Sequence, residues 1–223
     1  MAEFLDRYEA GQRLGRELAG RLEELAPADV GNSPGKLVVL GLPRGGVPVA
    51  EVVARQLGAP LDVIMVRKLG VPVHPELAMG ALGERGARVL DESIVRHFAV
   101  TPDQLEAVER QEQETLERRS AQFRAGREPV DLARKTAVIV DDGMATGATA
   151  RVACQLARKA GAEHVVLAVS VAARDTVEQI LANGEADDVV VLATPRYFRS
   201  VGEHYSDFSP VSDDTVAAIL RQA

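Results

Sequence analysis

VIVDDGMATGATA, Val138–Ala150, carries most of what this 223-residue sequence says about its fold. An apolar, branched run meets two adjacent carboxylates, Asp141 and Asp142, followed by a loop of small residues with two threonines. The run has strand length and lacks polar alternation, as a strand covered on both faces requires. The residues after the loop read as a helix. The plainest account is a strand–turn–helix junction with a polar cap.

The same pattern recurs along the chain. Continuous apolar runs at 37–42 (LVVLGL), 61–66 (LDVIMV), 136–142 (TAVIVDD), 164–171 (HVVLAVSV) and 187–193 (DDVVVLA) alternate with helical stretches. Such alternation predicts a doubly wound α/β fold on a mainly parallel sheet, with ligands at the carboxyl ends of the strands near the topological switch point. The opening segment reads as an amphipathic helix through Tyr8, Leu14, Leu18, Leu22 and Leu25, ended by Pro27 and the GNSPG turn at Gly31–Gly35.

Two segments depart from the alternation. Residues 70–100 are rich in turn formers, and ELAMGAL and ARVL within them suit a hairpin. A long helix should follow, with Thr101 as N-cap, Pro102 at the first position and Gln104 closing a capping box. Its apolar stripe is thin (Leu105, Val108, Leu116, Phe123), which suits packing on one narrow face, contact with a second subunit in a homo-oligomer, or a solvated surface.

Composition sets the class. The chain is 46% hydrophobic and 26% charged, with a net charge of −7 that argues against a broad nucleic-acid footprint. Cys154 is the sole cysteine, so no intrachain disulfide or Cys-rich zinc site is available. No apolar run approaches the roughly 20 residues of a membrane span, and the charged N-terminus lacks a signal-peptide core. A cytoplasmic setting without a membrane partner is the expectation.

The loop's chemistry then becomes specific. Adjacent ionised carboxylates repel one another unless a ligand offsets the cost. The cis-diol of a ribose can donate to both, and Mg²⁺ can neutralise them. In Ala145-Thr146-Gly147-Ala148-Thr149 the small residues let backbone N–H groups face one concavity at a helix N-terminus, a good phosphate site. The Thr146 and Thr149 hydroxyls add donors, and Gly147 permits close approach.

An apolar strand, Asp-Asp, three residues and Thr-Gly-x-Thr resembles the phosphoribosyl diphosphate (PRPP) signature of the type I phosphoribosyltransferases. The resemblance implies that Asp141 and Asp142 take the ribose hydroxyls and Ala145 to Thr149 the 5′-phosphate. GLPRGGVPVA (41–50) is similar to the family's diphosphate loop: Arg44 supplies a cationic fork, Gly45 and Gly46 open amides, and Pro48 a helix start. Many relatives carry a non-proline cis peptide there. Arg67 and Lys68, read as the end of the second strand, resemble diphosphate contacts. FLDRYEAG (4–11), VRKLG (66–70) and HPELAMGAL (74–82) extend the likeness to a bacterial group of uncharacterised members, over most of the chain.

The resemblance implies one domain over 1–223, with a core at about 36–193, a flap and insert at about 70–127 and a hood at about 194–210. His74 and Glu76 are candidate flap groups. Tyr197, Phe198, Tyr205 and Phe208 bring half of the eight aromatics into the hood, where they could stack on a planar acceptor or anchor the loop. Purine-salvage relatives place an aspartate before the Thr-Gly; Ala145 stands there, and a methyl group accepts no proton. The Ala-Thr-Gly arrangement is closer to the uracil enzymes, but these carry Asp-Pro where Asp142 is retained here. The acceptor therefore stays open.

The implied activity is Mg²⁺-dependent transfer of the 5-phosphoribosyl group from PRPP to a nitrogenous acceptor with release of diphosphate. Asp141, Asp142, Arg44 and Lys68 would be its catalytic groups. No direct metal site is implied: Mg²⁺ arrives with PRPP, Asp141 assisting. The alternative is a non-catalytic PRPP- or nucleotide-sensing module. An unrelated nucleotide hydrolase is disfavoured, since neither a G-x-x-x-x-G-K-[ST] loop nor G-x-G-x-x-G is present.

Overall fold

The computed structural model describes residues 2–25 and 36–223. In chain order the first elements are α1 (Arg7–Leu25), β1 (Leu37–Gly41), α2 (Gly46–Leu57), β2 (Leu61–Val63), β3 (Arg67–Val71), β4 (His74–Leu82) and β5 (Arg88–Leu90). Then come α3 (Glu92–His97), α4 (Pro102–Arg124), β6 (Thr136–Asp141), α5 (Ala148–Lys159), β7 (His164–Val171), α6 (Arg174–Ala182), β8 (Asp188–Ala193) and α7 (Asp213–Gln222). Pro27, the Gly31–Gly35 turn and the side chain of Leu25 lie outside the described residues.

Five strands form a parallel sheet in the order β2-β1-β6-β7-β8. Alternate residues face opposite layers, as the two-residue period of a strand demands. Val39, Val138, Val140 and Val166 pack towards α1, α2 and α7; Val38, Leu40, Ile139 and Leu167 pack towards α5 and α6. Both faces are covered, which is why the strands read as unbroken apolar runs. From β1 the chain moves outward to β2 and later returns on the other side as β6. The switch point therefore lies between the carboxyl ends of β1 and β6.

Three expectations need correction. The 61–66 run is a strand only over Leu61–Val63. Val63 pairs with Gly41, the last residue of β1, so this edge strand stops where its partner stops. Arg67 and Lys68 accordingly begin β3 in a second sheet and do not end β2. Tyr8 is 53% exposed, whereas Leu14, Leu18 and Leu22 are buried; six residues before Leu14 puts it about 120° round the helix.

The second sheet is antiparallel, β3-β4-β5, with the expected hairpin between β4 and β5. α4 has its capping box: Gln104 N–H donates to Thr101 Oγ1 at 3.3 Å and Thr101 N–H to Gln104 Oε1 at 3.0 Å. Of its stripe, Leu116 and Phe123 are fully buried and Leu105 and Val108 partly so, against β3, β4 and α7 of this same chain. The buried Arg124 ends the helix and donates to Asp62 Oδ1 (2.7 Å), the Val63 carbonyl (2.8 Å) and Glu84 Oε2 (2.7 Å). This joins α4 to both sheets. Among the described residues no helix is long and apolar enough to cross a membrane.

Candidate active site

The acid pair ends β6 at the switch point. Asp142 is 8% exposed and Asp141 partly exposed, and the Asp142 N–H donates to Asp141 Oδ1 at 2.9 Å. Burial, with the charge of Asp142 beside it, holds the Asp141 carboxyl well above the usual carboxylate range. Burial also raises Asp142, but an arginine opposes the shift there. That arginine is Arg7, at the first position of α1, with Nε 2.8 Å from Asp142 Oδ2. From the hood, the Tyr205 hydroxyl donates to the Asp142 carbonyl at 2.6 Å.

The Arg-Gly-Gly loop that follows β1 presses against this pair. A Cβ on Gly45 would lie 2.0 Å from Asp142 Oδ2, and one on Gly46 would lie 2.4 Å from the Val140 carbonyl oxygen. Both glycines are required by space. The Gly46 N–H is not open as expected: it donates to the Leu42 carbonyl at 3.0 Å as α2 begins. The Pro43–Arg44 peptide is cis. Arg44 is exposed, with Nη1 3.6 Å from Asp213 Oδ1 at the start of α7.

The small-residue loop is exposed at Ala145, Thr146, Ala148 and Thr149 and buried at Gly147, whose φ of 72° suits glycine at the N-cap of α5. The first-turn amides of α5 have no preceding carbonyls to bind, so they can face an anion. Its base is fixed from neighbouring elements. Met144 N–H donates to the Val171 carbonyl at 2.8 Å, and Thr176 Oγ1 of α6 donates to the Ala145 carbonyl at 2.8 Å. Cys154, further along α5, is a packing residue, its thiol pushed up to about 12 by burial.

Arg67 Nε is 2.7 Å from Glu112 of α4, so its charge already has a partner. Lys68 is exposed on β3, and no ion pair joins either residue to the acids. His74 and Glu76 are exposed on β4. In the hood, Tyr205 is 5% exposed between Phe4 and Phe208, so its ring is an internal brace and not a stacking surface. Phe208 lies 4.0 Å under the Arg7 guanidinium, and Phe198 stacks on His204 with centroids 5.5 Å apart. Only Tyr197 of the four is openly exposed, at 78%. A hollow of about 60 Å³ lies elsewhere, lined by Leu40, Asp62, Arg124 and Leu156.

Arg7 and Thr176 had no role assigned from the sequence. Arg7 sits inside FLDRYEAG, so the motif marked it without revealing its partner. Nothing in the local sequence points to Thr176.

The profile of the phosphoribosyl transferase domain family matches residues 5–191. Two curated relatives from Mycobacterium tuberculosis strains, provisionally named phosphoribosyl transferases, are 52% identical over 223 residues. The match takes in 100% of this chain and 47% of theirs, so the chain spans about half the length of the curated relatives it matches. The crystal structure of TT1426 from Thermus thermophilus is similar over 99% of this chain and 98% of its own, with 40% identity and a TM-score of 0.82.

Proposed function

The chain belongs to the phosphoribosyl transferase domain family, of the type I kind, and from that premise we propose that it transfers the 5-phosphoribosyl group of PRPP to a nitrogenous acceptor. The carrying observation is the meeting of two loops at the switch point. The acid pair of β6 and the Arg44–Gly46 turn after β1 approach so closely that only glycine fits between them.

In this reading the acceptor nitrogen attacks the ribose carbon that bears diphosphate. The carbon–oxygen bond to diphosphate breaks with its electron pair leaving on that oxygen, and the acceptor's proton passes to the departing diphosphate or to solvent. The carboxylates orient the ribose hydroxyls and favour positive charge developing on the sugar. The amides and hydroxyls of Ala145 to Thr149 hold the 5′-phosphate, while Arg44 and Lys68 steady the departing diphosphate. The flap, within residues 70–100, would exclude water that could divert the sugar to hydrolysis.

Among the described residues no group of three or more His, Cys, Asp or Glu could hold a metal ion. With one Asp142 oxygen paired to Arg7, the donors suit a magnesium ion held mainly by substrate phosphates and water, with Asp141 lending an oxygen. Bound there, magnesium would neutralise diphosphate charge. The same proposal takes PRPP and a small acceptor as partners in a cytoplasmic setting, with nucleic acid disfavoured by the net charge of −7.

Incubation with PRPP, Mg²⁺ and a panel of nitrogenous bases is expected to release diphosphate. Tight PRPP binding with no turnover across the panel would instead favour a PRPP-sensing module.

A further inference from the structure

Of the two carboxylates, Asp142 is the more committed. We propose that Arg7 is a positioning residue of the ribose clamp: it holds Asp142 through Oδ2, so that Asp141 is the main carboxylate to meet the ribose and Asp142 Oδ1 the lesser. The proposal rests on the PRPP reading of the site.

Three contacts fix the guanidinium. Nε reaches Asp142 Oδ2 at 2.8 Å, Nη1 donates to the Ser209 carbonyl at 2.8 Å, and Cζ lies 4.0 Å over the Phe208 ring. The Arg7 and Asp142 side chains are each 12% exposed, so solvent screens their attraction far less than it does for a surface pair. The chain just before Arg7 is also anchored: Glu3 and Phe4 N–H groups donate to the His204 carbonyl, each at 2.9 Å. Asp142 is thus held at its side chain by α1 and at its carbonyl by Tyr205.

Oδ2 of Asp142 faces Arg7 on one side and the Gly45 backbone on the other, where even a methyl carbon would come to 2.0 Å. That oxygen has no room for a sugar hydroxyl. Asp141 differs: its Oδ1 accepts the Asp142 amide, and among the described residues no cation pairs with it. An acid without an ion-pair partner at the carboxyl end of a central strand is the one that gains most from a hydroxyl-rich ligand.

Calorimetric titration of the full chain with three probes tests this: PRPP with Mg²⁺, ribose 5-phosphate, and inorganic diphosphate with Mg²⁺. Arg7→Gln should weaken both ribose-bearing probes by about tenfold and leave diphosphate unchanged, a pattern that general loosening would not give. Arg7→Lys should recover part of the loss, since it keeps the charge without the planar fork. Arg7→Gln/Asp142→Asn should bind no more weakly than Asp142→Asn alone, because both remove one pair. Wild-type affinity for ribose-bearing probes in Arg7→Gln, or equal weakening of all three, overturns the positioning role while leaving the PRPP reading intact. Failure of the unmodified chain to bind PRPP overturns that reading and this proposal together. Thermal melts accompany each variant, and Arg7→Lys carries the comparison if Arg7→Gln does not fold.

Discussion

Arg7 Nε lies 2.8 Å from Asp142 Oδ2, joining residues 135 positions apart. The contact makes the first helix part of the site and gives the two acids opposite effects on stability. Asp141→Asn removes a half-buried charge that has no ion-pair partner among the described residues and should stabilise the free protein by about 1 kcal/mol at neutral pH. Asp142→Asn strands Arg7 and should destabilise it by about 1–3 kcal/mol. The Asp141 carboxyl is raised above the ordinary value of 3.8, so its favourable contribution is complete below that pH and is lost as pH rises through the higher folded value. The advantage of Asp141→Asn over wild type should therefore be small near pH 4 and grow toward neutrality. Urea denaturation at several pH values measures it; a constant gap would contradict the burial of an unmatched acid.

Two hood tyrosines should separate stability from acceptor use. Tyr205→Phe loses the 2.6 Å bond to the Asp142 carbonyl and leaves that carbonyl without its donor, at a cost of about 1 kcal/mol. Tyr197→Ala removes a ring that is 78% exposed and should leave the melting temperature unchanged. If Tyr197 stacks on the acceptor, its loss raises the acceptor KM and spares the affinity for PRPP. Steady-state kinetics with an acceptor found in the base panel decides the matter.

The parallel sheet was legible because strands buried on both faces must be apolar throughout, and Thr136–Asp141 is such a strand. The capping box of α4 was legible because its bonds join neighbours in sequence. What escaped detection depended on partners far along the chain. Arg67 resembled a free diphosphate ligand until α4 brought Glu112 to it. Tyr205 read equally well as a stacking surface or a loop anchor, and only the approach of Phe4 makes it the anchor. The extent of β2 could not be read from its own residues, because β1 sets where it stops. The acid pair pointed to a ligand but not to Arg7, since charge balance across 135 residues leaves no local pattern.

Gly45 tests the close approach of the two loops. Its φ of −64° is open to any residue, so the demand for glycine comes from space alone. In Gly45→Ala the new methyl would meet Asp142 Oδ2 at 2.0 Å and Cγ at 2.6 Å, forcing the carboxylate off Arg7. A loss of about 1–3 kcal/mol is expected, together with weaker PRPP binding. Gly20→Ala in α1 is the control: among the described residues nothing lies within 4 Å of its Cβ, and helix propensity predicts a gain of up to about 1 kcal/mol. Denaturation of both variants, with PRPP titration, reads the contrast.

Arg124 should govern the second sheet without touching the site. Its side chain is 3% exposed and bridges Asp62 of β2 to Glu84 in the β4–β5 turn. Asp62 is 2% exposed, and its other oxygen accepts the Val130 N–H at 2.8 Å, so it cannot turn to water when Arg124 is removed. Arg124→Ala leaves that carboxylate buried without its cation and should cost about 3–5 kcal/mol. Because Arg124 also bonds the Val63 carbonyl, its loss frees the β4–β5 turn from β2, while β6 and β7 keep their ladder. Hydrogen exchange should therefore quicken first in β3–β5, residues 67–90, and later in the central sheet. Uniform acceleration through both sheets would show that Arg124 supports the whole domain and not the flap in particular.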